Sequence, residues 1–160
     1  MLQTEILYVG GEKESYFREA AAEYRKRLGA FCEFSEKTVK DEKLPAEPSE
    51  AHVAAALEKE ADRLLAQFQP KTYRVALCVE GKELSSQELA SLFDDVATRA
   101  YRGVTFVIGS SEGLSPRVKE ACDLRLSMSR MTFPHRLARV MLLEQIYRAG
   151  EIAAGGKYHK

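Results

Sequence analysis

Five stretches of the chain concentrate or alternate apolar residues over strand length, and the segments between them repeat apolar residues at helical spacing. Residues 2–9 (Leu2 to Val9) predict a strand that Gly10 and Gly11 end. Residues 13–28 predict a helix, with Tyr16, Phe17, Ala20, Tyr24 and Leu28 along one side. Residues 31–39 alternate and predict a strand with one polar face. A loop with Pro45 and Pro48 follows. Ser49 is placed to cap a long helix over 50–68, which Pro70 stops. Residues 73–79 predict a mostly apolar strand, and Glu80-Gly81-Lys82 a turn after it. Ser85 or Ser86 caps a helix that ends near Arg99. A strand over 104–108 follows. Ser115 and Pro116 suit the N-cap and first position of a short helix. A strand over 123–128 and a last helix, opened by Pro134 and ending near Gly150, complete the pattern.

Strands that alternate with helices imply an α/β fold with a largely parallel sheet flanked by helices. At 160 residues this is one domain over 1–160 with enough apolar content for a normal core. Ligands of such sheets bind outside the carboxyl ends of the strands. That rule brings residues 77–81, 109–113 and 128–134 to one rim. Gly109 and Gly113 allow a close approach to the backbone, because glycine has no Cβ. The loop between them is neither GxGxxG nor a P-loop, so a dinucleotide or a triphosphate is poorly served. Adenosine with a short charged tail fits better. Glu112 can bond the hydroxyls of such a ligand or order the turn. Main-chain atoms of 128–133, with Ser129 and Thr132, can hold an adenine edge, while Met128, Met131 and Phe133 supply apolar packing.

Charge and cysteines change the picture only at the margins. The net charge is zero, but residues 101–160 hold 10 of the 24 cations and 5 of the 24 anions. Such a skew suits a nucleic-acid face at one end, and ordinary scatter produces it as readily. Cys32, Cys78 and Cys122 form no CxxC pair, which disfavours a disulfide framework and a zinc site, and no metal is expected. The opening residues lack a basic region before an apolar run, and no stretch reaches the roughly 18 apolar residues of a membrane span. A cytoplasmic protein with no membrane partner is expected.

Three other groups can carry chemistry. His135 begins the last helix, where the helix dipole lowers an imidazole pKa. Tyr158, His159 and Lys160 close the chain. Aromatic, imidazole and ammonium together can stack a base and meet a phosphate, although a frayed end is the ordinary state of a terminus. His52 lies in the long polar helix and is expected at the surface. Arg139 and Arg148 are nine apart, opposite each other around a helix, so one partner cannot meet both.

The segments Leu77-Cys78-Val79-Glu80-Gly81-Lys82, Phe106-Val107-Ile108-Gly109-Ser110-Ser111-Glu112-Gly113, Leu126-Ser127-Met128-Ser129-Arg130-Met131-Thr132-Phe133-Pro134-His135 and Arg139-Val140-Met141-Leu142-Leu143-Glu144-Gln145-Ile146-Tyr147-Arg148, with the Tyr158-His159 ending, resemble the ribosomal RNA large-subunit methyltransferase H family of the SPOUT superfamily. The resemblance covers the full length. It implies a homodimer, a C-terminal trefoil knot and S-adenosylmethionine as cofactor. It implies that Leu77, Gly109 and the loop of Met128, Ser129, Arg130, Met131, Thr132 and Phe133 hold that cofactor. The implied reaction methylates N3 of a pseudouridine in 23S rRNA on the assembled ribosome. His159, with Tyr158, is the first candidate to handle the base and His135 the second. Arg136, Arg139 and Lys160 are candidates for phosphate contacts. Two positions depart from the family pattern, which often reads Gly-Gly-Pro-Glu-Gly where this chain has Ser110 and Ser111, and Tyr-His-Arg where it ends on Lys160. The alternative is a non-catalytic α/β module that binds a ribosome or a nucleotide.

Overall fold

The computed structural model describes residues 2–160. Its elements, in chain order, are β1 (Gln3–Val9), α1 (Ser15–Leu28), β2 (Glu33–Val39), α2 (Glu50–Gln67), β3 (Thr72–Glu83), α3 (Ser86–Thr98), β4 (Gly103–Ile108), α4 (Pro116–Glu120), β5 (Leu124–Ser127) and α5 (His135–Ala153). The five strands form one parallel sheet in the order β2-β1-β4-β3-β5. The α/β expectation therefore holds, strand by strand.

Side-chain alternation divides the core into two layers. Ile6, Tyr8, Val104, Phe106 and Ile108 face α1, α3 and α5. Leu7, Val9, Ala76 and Val107 face the other way, toward α2 and α4. Every residue of β4 is buried, as expected of a strand with neighbours on both edges and helices on both faces. α5 packs between α1 and α3, so its first turn stands over the carboxyl ends of the central strands.

The caps behave as the sequence indicates. Ser49 accepts from the His52 amide, and the exposed His52 ring accepts from the Ser49 amide, a reciprocal box at the start of α2. Ser85 and Glu88 make the same box at the start of α3. Ser115 caps α4, with Pro116 behind it.

Two boundaries differ from the sequence reading. Glu80-Gly81-Lys82 is not a turn: β3 runs on to Glu83, with a shift in its pairing to β5 between Leu77 and Lys82. Gly81 permits this, because a Cβ there would lie 2.7 Å from the Arg125 carbonyl. α5 does not end at Gly150. There the missing side chain makes room for the Phe31 ring, whose Cγ would lie 2.5 Å from a Cβ. The helix stops after Ala153, and Gly155 takes the left-handed conformation (φ +71°) that commonly closes a helix.

Candidate active site

The second half of β3 and the loops after β4 and β5 meet at the carboxyl rim and enclose a cavity of about 320 Å³. This is within the usual range for a small-molecule site, roughly 300–1,000 Å³. Leu77, Gly109, Met128, Ser129, Met131, Thr132, Phe133 and His135 all line it. Residues distant in sequence are thus brought together by one feature, the common direction of the parallel strands.

Each loop reaches its place for a local reason. The β4 loop folds back as a tight turn in which the Gly113 amide donates to the Ser110 carbonyl at 2.9 Å. Gly113 has φ +86°, the region that favours glycine. Gly109 is needed for a different reason from the one expected. A Cβ on it would lie 2.2 Å from the Gly113 carbonyl oxygen. The loop itself fills that space, so a side chain there would collide with the protein before it met any ligand. The β5 loop is held by Ser127, whose hydroxyl donates to the Ser129 carbonyl at 2.9 Å, and by Ser129, which accepts from the Met131 amide at 3.0 Å. Met131 leaves 73% of its surface exposed at the cavity's edge. At the β3 side, Lys119 of α4 pairs with Glu80, and this hydrogen bond holds the Glu80 carboxyl below its usual pKa.

The lining is mixed. Leu77, Ile108, Leu114, Met128 and Phe133 offer apolar contact, while main-chain groups and the hydroxyls of Ser129 and Thr132 offer hydrogen bonds. Glu80 and Glu112 are the carboxylates on its wall. Sequence reasoning did not single out Cys78, Val79, Ile108, Lys119 or Ala138, which also line the cavity. The strand-end rule reaches Cys78 and Val79, but no sequence signal places Lys119 or Ala138 there. Burial raises the thiol pKa values of Cys78 and Cys122, the latter to about 12, so both stay neutral. Among the described residues, no group of histidine, cysteine or acidic side chains is arranged to hold a metal ion.

His135 is half-buried at the start of α5, with its ring 5.8 Å from that of Tyr8. Its pKa is lowered, first by desolvation and then by the Arg136 guanidinium, against the opposing pull of Asp41 and Glu14. The direction matches the helix-dipole expectation, but burial is its main cause. A neutral imidazole therefore faces the cavity near pH 7.

Other nominated residues lie elsewhere. Arg130 is outside the lining, with its side chain 93% exposed and only a loose pair to Glu83 at 3.9 Å. Arg139 is the clearest correction. It is 5% exposed, pairs with Glu36 and with Glu12 at 3.3 Å, and stacks over Tyr8 at 5.2 Å. It holds α5 against β2 and the β1 loop and presents no charge to a phosphate. The sequence shows its position on the helix but not which side the sheet covers. Arg136 is partly exposed and shared between Glu12 and Glu14. Around this cluster the Tyr8 hydroxyl, one oxygen each of Glu12 and Glu14, and Arg136 Nε are buried without hydrogen-bond partners, and Arg136 Nε and Glu12 meet only as a loose ion pair at 3.8 Å. Burial accordingly pushes the Tyr8 hydroxyl up to about 12 and raises the Glu12 carboxyl.

The tail is ordered against α5 and α3. The Tyr158 hydroxyl donates to Glu144 at 3.1 Å, and its ring meets Tyr147 edge-on at 4.9 Å beneath the Arg148 guanidinium at 4.6 Å. His159 sits between Gln87 at 2.8 Å and Arg148 at 3.3 Å. Neither residue lines the cavity. A second cleft of about 390 Å³ lies between α3, β5 and α5, with Met128 and Glu144, the hydrogen-bond partner of Tyr158, in its walls. Met128 belongs to both spaces, so the cleft adjoins the cavity.

A family model described as a predicted SPOUT methyltransferase matches residues 2–159. A protein of Ligilactobacillus salivarius named ribosomal RNA large subunit methyltransferase H is 46% identical over 99% of this chain and 100% of its own length. One of the same name from Pelotomaculum thermopropionicum is 46% identical over 99% of each chain. Among solved structures, a probable methyltransferase from Bordetella pertussis Tohama I superimposes with a TM-score of 0.59 at 18% identity, over 92% of this chain and 94% of that one. That last likeness concerns the fold alone.

Proposed function

Because the chain belongs to the SPOUT methyltransferase family, we propose that it uses S-adenosylmethionine to methylate N3 of a pseudouridine in 23S rRNA, in the assembled ribosome. The observation that carries this reading is the cavity formed by the second half of β3 and the loops after β4 and β5. The donor set fits that cofactor. Apolar walls and main-chain groups suit an adenine, small hydroxyls suit the polar tail, and the wall carboxylates Glu80 and Glu112 suit a sulfonium's positive charge. No phosphate cradle is present in the loop, which speaks against ATP and NAD. The bound cofactor supplies a methyl group already activated by its sulfonium.

The residues then need to position and deprotonate the acceptor. The imide proton of N3 leaves to a base. His135 is neutral near pH 7 and faces the cavity, so its geometry and its pKa both suit a proton acceptor. Tyr158 bonds to Glu144 on the wall of the adjoining cleft, and His159 follows it in the tail, so a flipped base entering there has Tyr158 to stack on and His159 to hold its edge. Lys160 closes the same tail, exposed, and its ammonium suits a phosphate contact. Met128, Ser129, Met131, Thr132 and Phe133 hold the cofactor together with Leu77 and Gly109, and Arg130 approaches only from outside.

The same reading includes a homodimer and a C-terminal trefoil knot. A dimer is supported by α5, which keeps Leu137, Val140 and Met141 only partly covered outside its buried face. A monomer mass by light scattering at micromolar protein would refute it. Among the described residues no helix is long and apolar enough to cross a membrane, and a cytoplasmic location suits a ribosomal substrate.

The deciding experiment is transfer of a labelled methyl group to ribosomes from a strain lacking this protein, with identification of the product base. Label in N3-methylpseudouridine is expected. Absence of label, with calorimetry showing no heat from S-adenosylmethionine or S-adenosylhomocysteine, would leave the non-catalytic binding module as the better account.

A further inference from the structure

One carboxyl group outside the cavity is bonded to the loop that forms its wall. Glu60 of α2 is 3% exposed. Its Oε1 accepts from the Ser110 hydroxyl at 3.0 Å, and its Oε2 accepts from the Glu42 amide at 3.0 Å. None of its hydrogen bonds comes from a cation. A buried acid with only neutral donors is costly unless each donor is well placed. Such a group is kept where its bonds hold something in position. Here they hold the cavity loop to α2 on one side and the segment after β2 on the other. That segment is itself fastened, since Arg63 of α2 donates to the Lys40 carbonyl at 2.9 Å and pairs with Glu42 at 2.5 Å.

Ser110 is also one of the two positions at which the loop departs from the family's glycine-rich pattern. Without the Ser110 bond the loop between Gly109 and Leu114 keeps only its own turn, the Gly113 amide to the Ser110 carbonyl. A glycine-flanked turn of that length samples many conformations, and a ligand binds the competent fraction alone, so its apparent affinity falls by that fraction.

We propose that Glu60 is a positioning residue for the cofactor: through Ser110 it holds the loop over 109–113 in the conformation that receives S-adenosylmethionine. The proposal rests on the methyltransferase reading above and adds to it a residue that lies outside the cavity.

The test compares Ser110→Ala, Ser110→Thr and Glu60→Gln with wild type, as full-length folded proteins. S-adenosylhomocysteine affinity is read by calorimetry, and amide exchange over 109–113 by mass spectrometry on the free protein. Ser110→Ala is expected to weaken binding about tenfold, as follows if the competent fraction falls to about one tenth. Exchange should rise within the loop and not in β4 beneath it. Ser110→Thr keeps the hydroxyl and should bind within about twofold of wild type. Glu60→Gln sets a side-chain N–H or a weaker acceptor against its two donors, and should lose several-fold. Ser115→Ala is the control. It removes a 2.5 Å hydrogen bond to Glu58 of the same helix, so it should lower the melting temperature and leave affinity unchanged. Folded Ser110→Ala and Glu60→Gln proteins that bind like wild type, with unchanged loop exchange, would overturn the proposal. A folded wild type that bound neither S-adenosylmethionine nor its demethylated product would instead sink the methyltransferase reading. The exchange measurement would then still decide whether Glu60 restrains the loop.

Discussion

Replacing Gly109 with alanine should cost more than a missing glycine ordinarily would. The added Cβ would lie 2.2 Å from the Gly113 carbonyl oxygen, 2.5 Å from its carbon and 3.1 Å from Leu114 Cδ2. The first two are backbone atoms and cannot swing aside as a side chain can. Relief requires the loop to open, which breaks the bond from the Gly113 amide to the Ser110 carbonyl. Overpacking of this kind costs about 1–3 kcal/mol and the lost hydrogen bond about 1 kcal/mol. The sum is about 2–4 kcal/mol. For a chain of this size that lowers the melting temperature by roughly 5–15 °C. Gly113→Ala is the internal comparison. Nothing lies within 4 Å of its Cβ, and only the positive φ of +86° opposes it. That should cost about 1 kcal/mol. Urea and thermal unfolding of both variants give the order directly, and calorimetry with S-adenosylmethionine should show binding lost in Gly109→Ala. If Gly109→Ala were as stable as wild type, or less perturbed than Gly113→Ala, the self-closed loop would be the wrong explanation for this glycine.

Arg139→Ala should destabilise the protein by about 3 kcal/mol in urea unfolding, the low end for a broken buried pair, because Glu12 and Glu36 lose their shared buried cation and keep only Arg136 and Arg25. The same variant, where folded, should leave the salt dependence of ribosome binding unchanged, whereas Lys160→Ala should lower its slope by about one counterion. Deleting 158–160 should cost about 2 kcal/mol, from the Glu144 hydrogen bond, the Tyr147 edge contact and the Arg148 stacking taken together. It should also abolish methyl transfer while S-adenosylmethionine still binds, and wild-type transfer by the truncated protein would return the tail to the status of an ordinary terminus. His135 makes stability fall in acid. Its folded pKa is depressed, so below about 6.5 the unfolded chain takes the proton more readily, and stability is lost as pH drops through the folded value. His135→Gln should flatten that part of a stability-against-pH curve, and an unchanged slope would count against the assignment.

What the sequence determined by itself was local. Apolar alternation and helical spacing, together with Ser and Pro start signals, located all ten elements, since periods and caps depend on local backbone geometry. Ser49, Ser85, Ser115 and Pro116 marked helix starts because a cap needs only the first few residues of its own helix. The strand-end rule brought residues 77–81, 109–113 and 128–134 to one rim because parallel strands share a direction, although the first of these lies within β3. The tertiary structure decided what depends on partners distant in the chain. Gly81 and Gly150 look like a turn and a helix stop, but Arg125 and Phe31, far away in sequence, make them close-approach positions. Arg139 looks like a surface cation, but Glu12 and Glu36 arrive from the β1 loop and β2 to bury it. Glu60 is one acid among several on a polar helix until β4 brings Ser110 against it. A charge's role is set by what surrounds it, and the neighbours of a buried charge are supplied by the packing of elements, which no local pattern records.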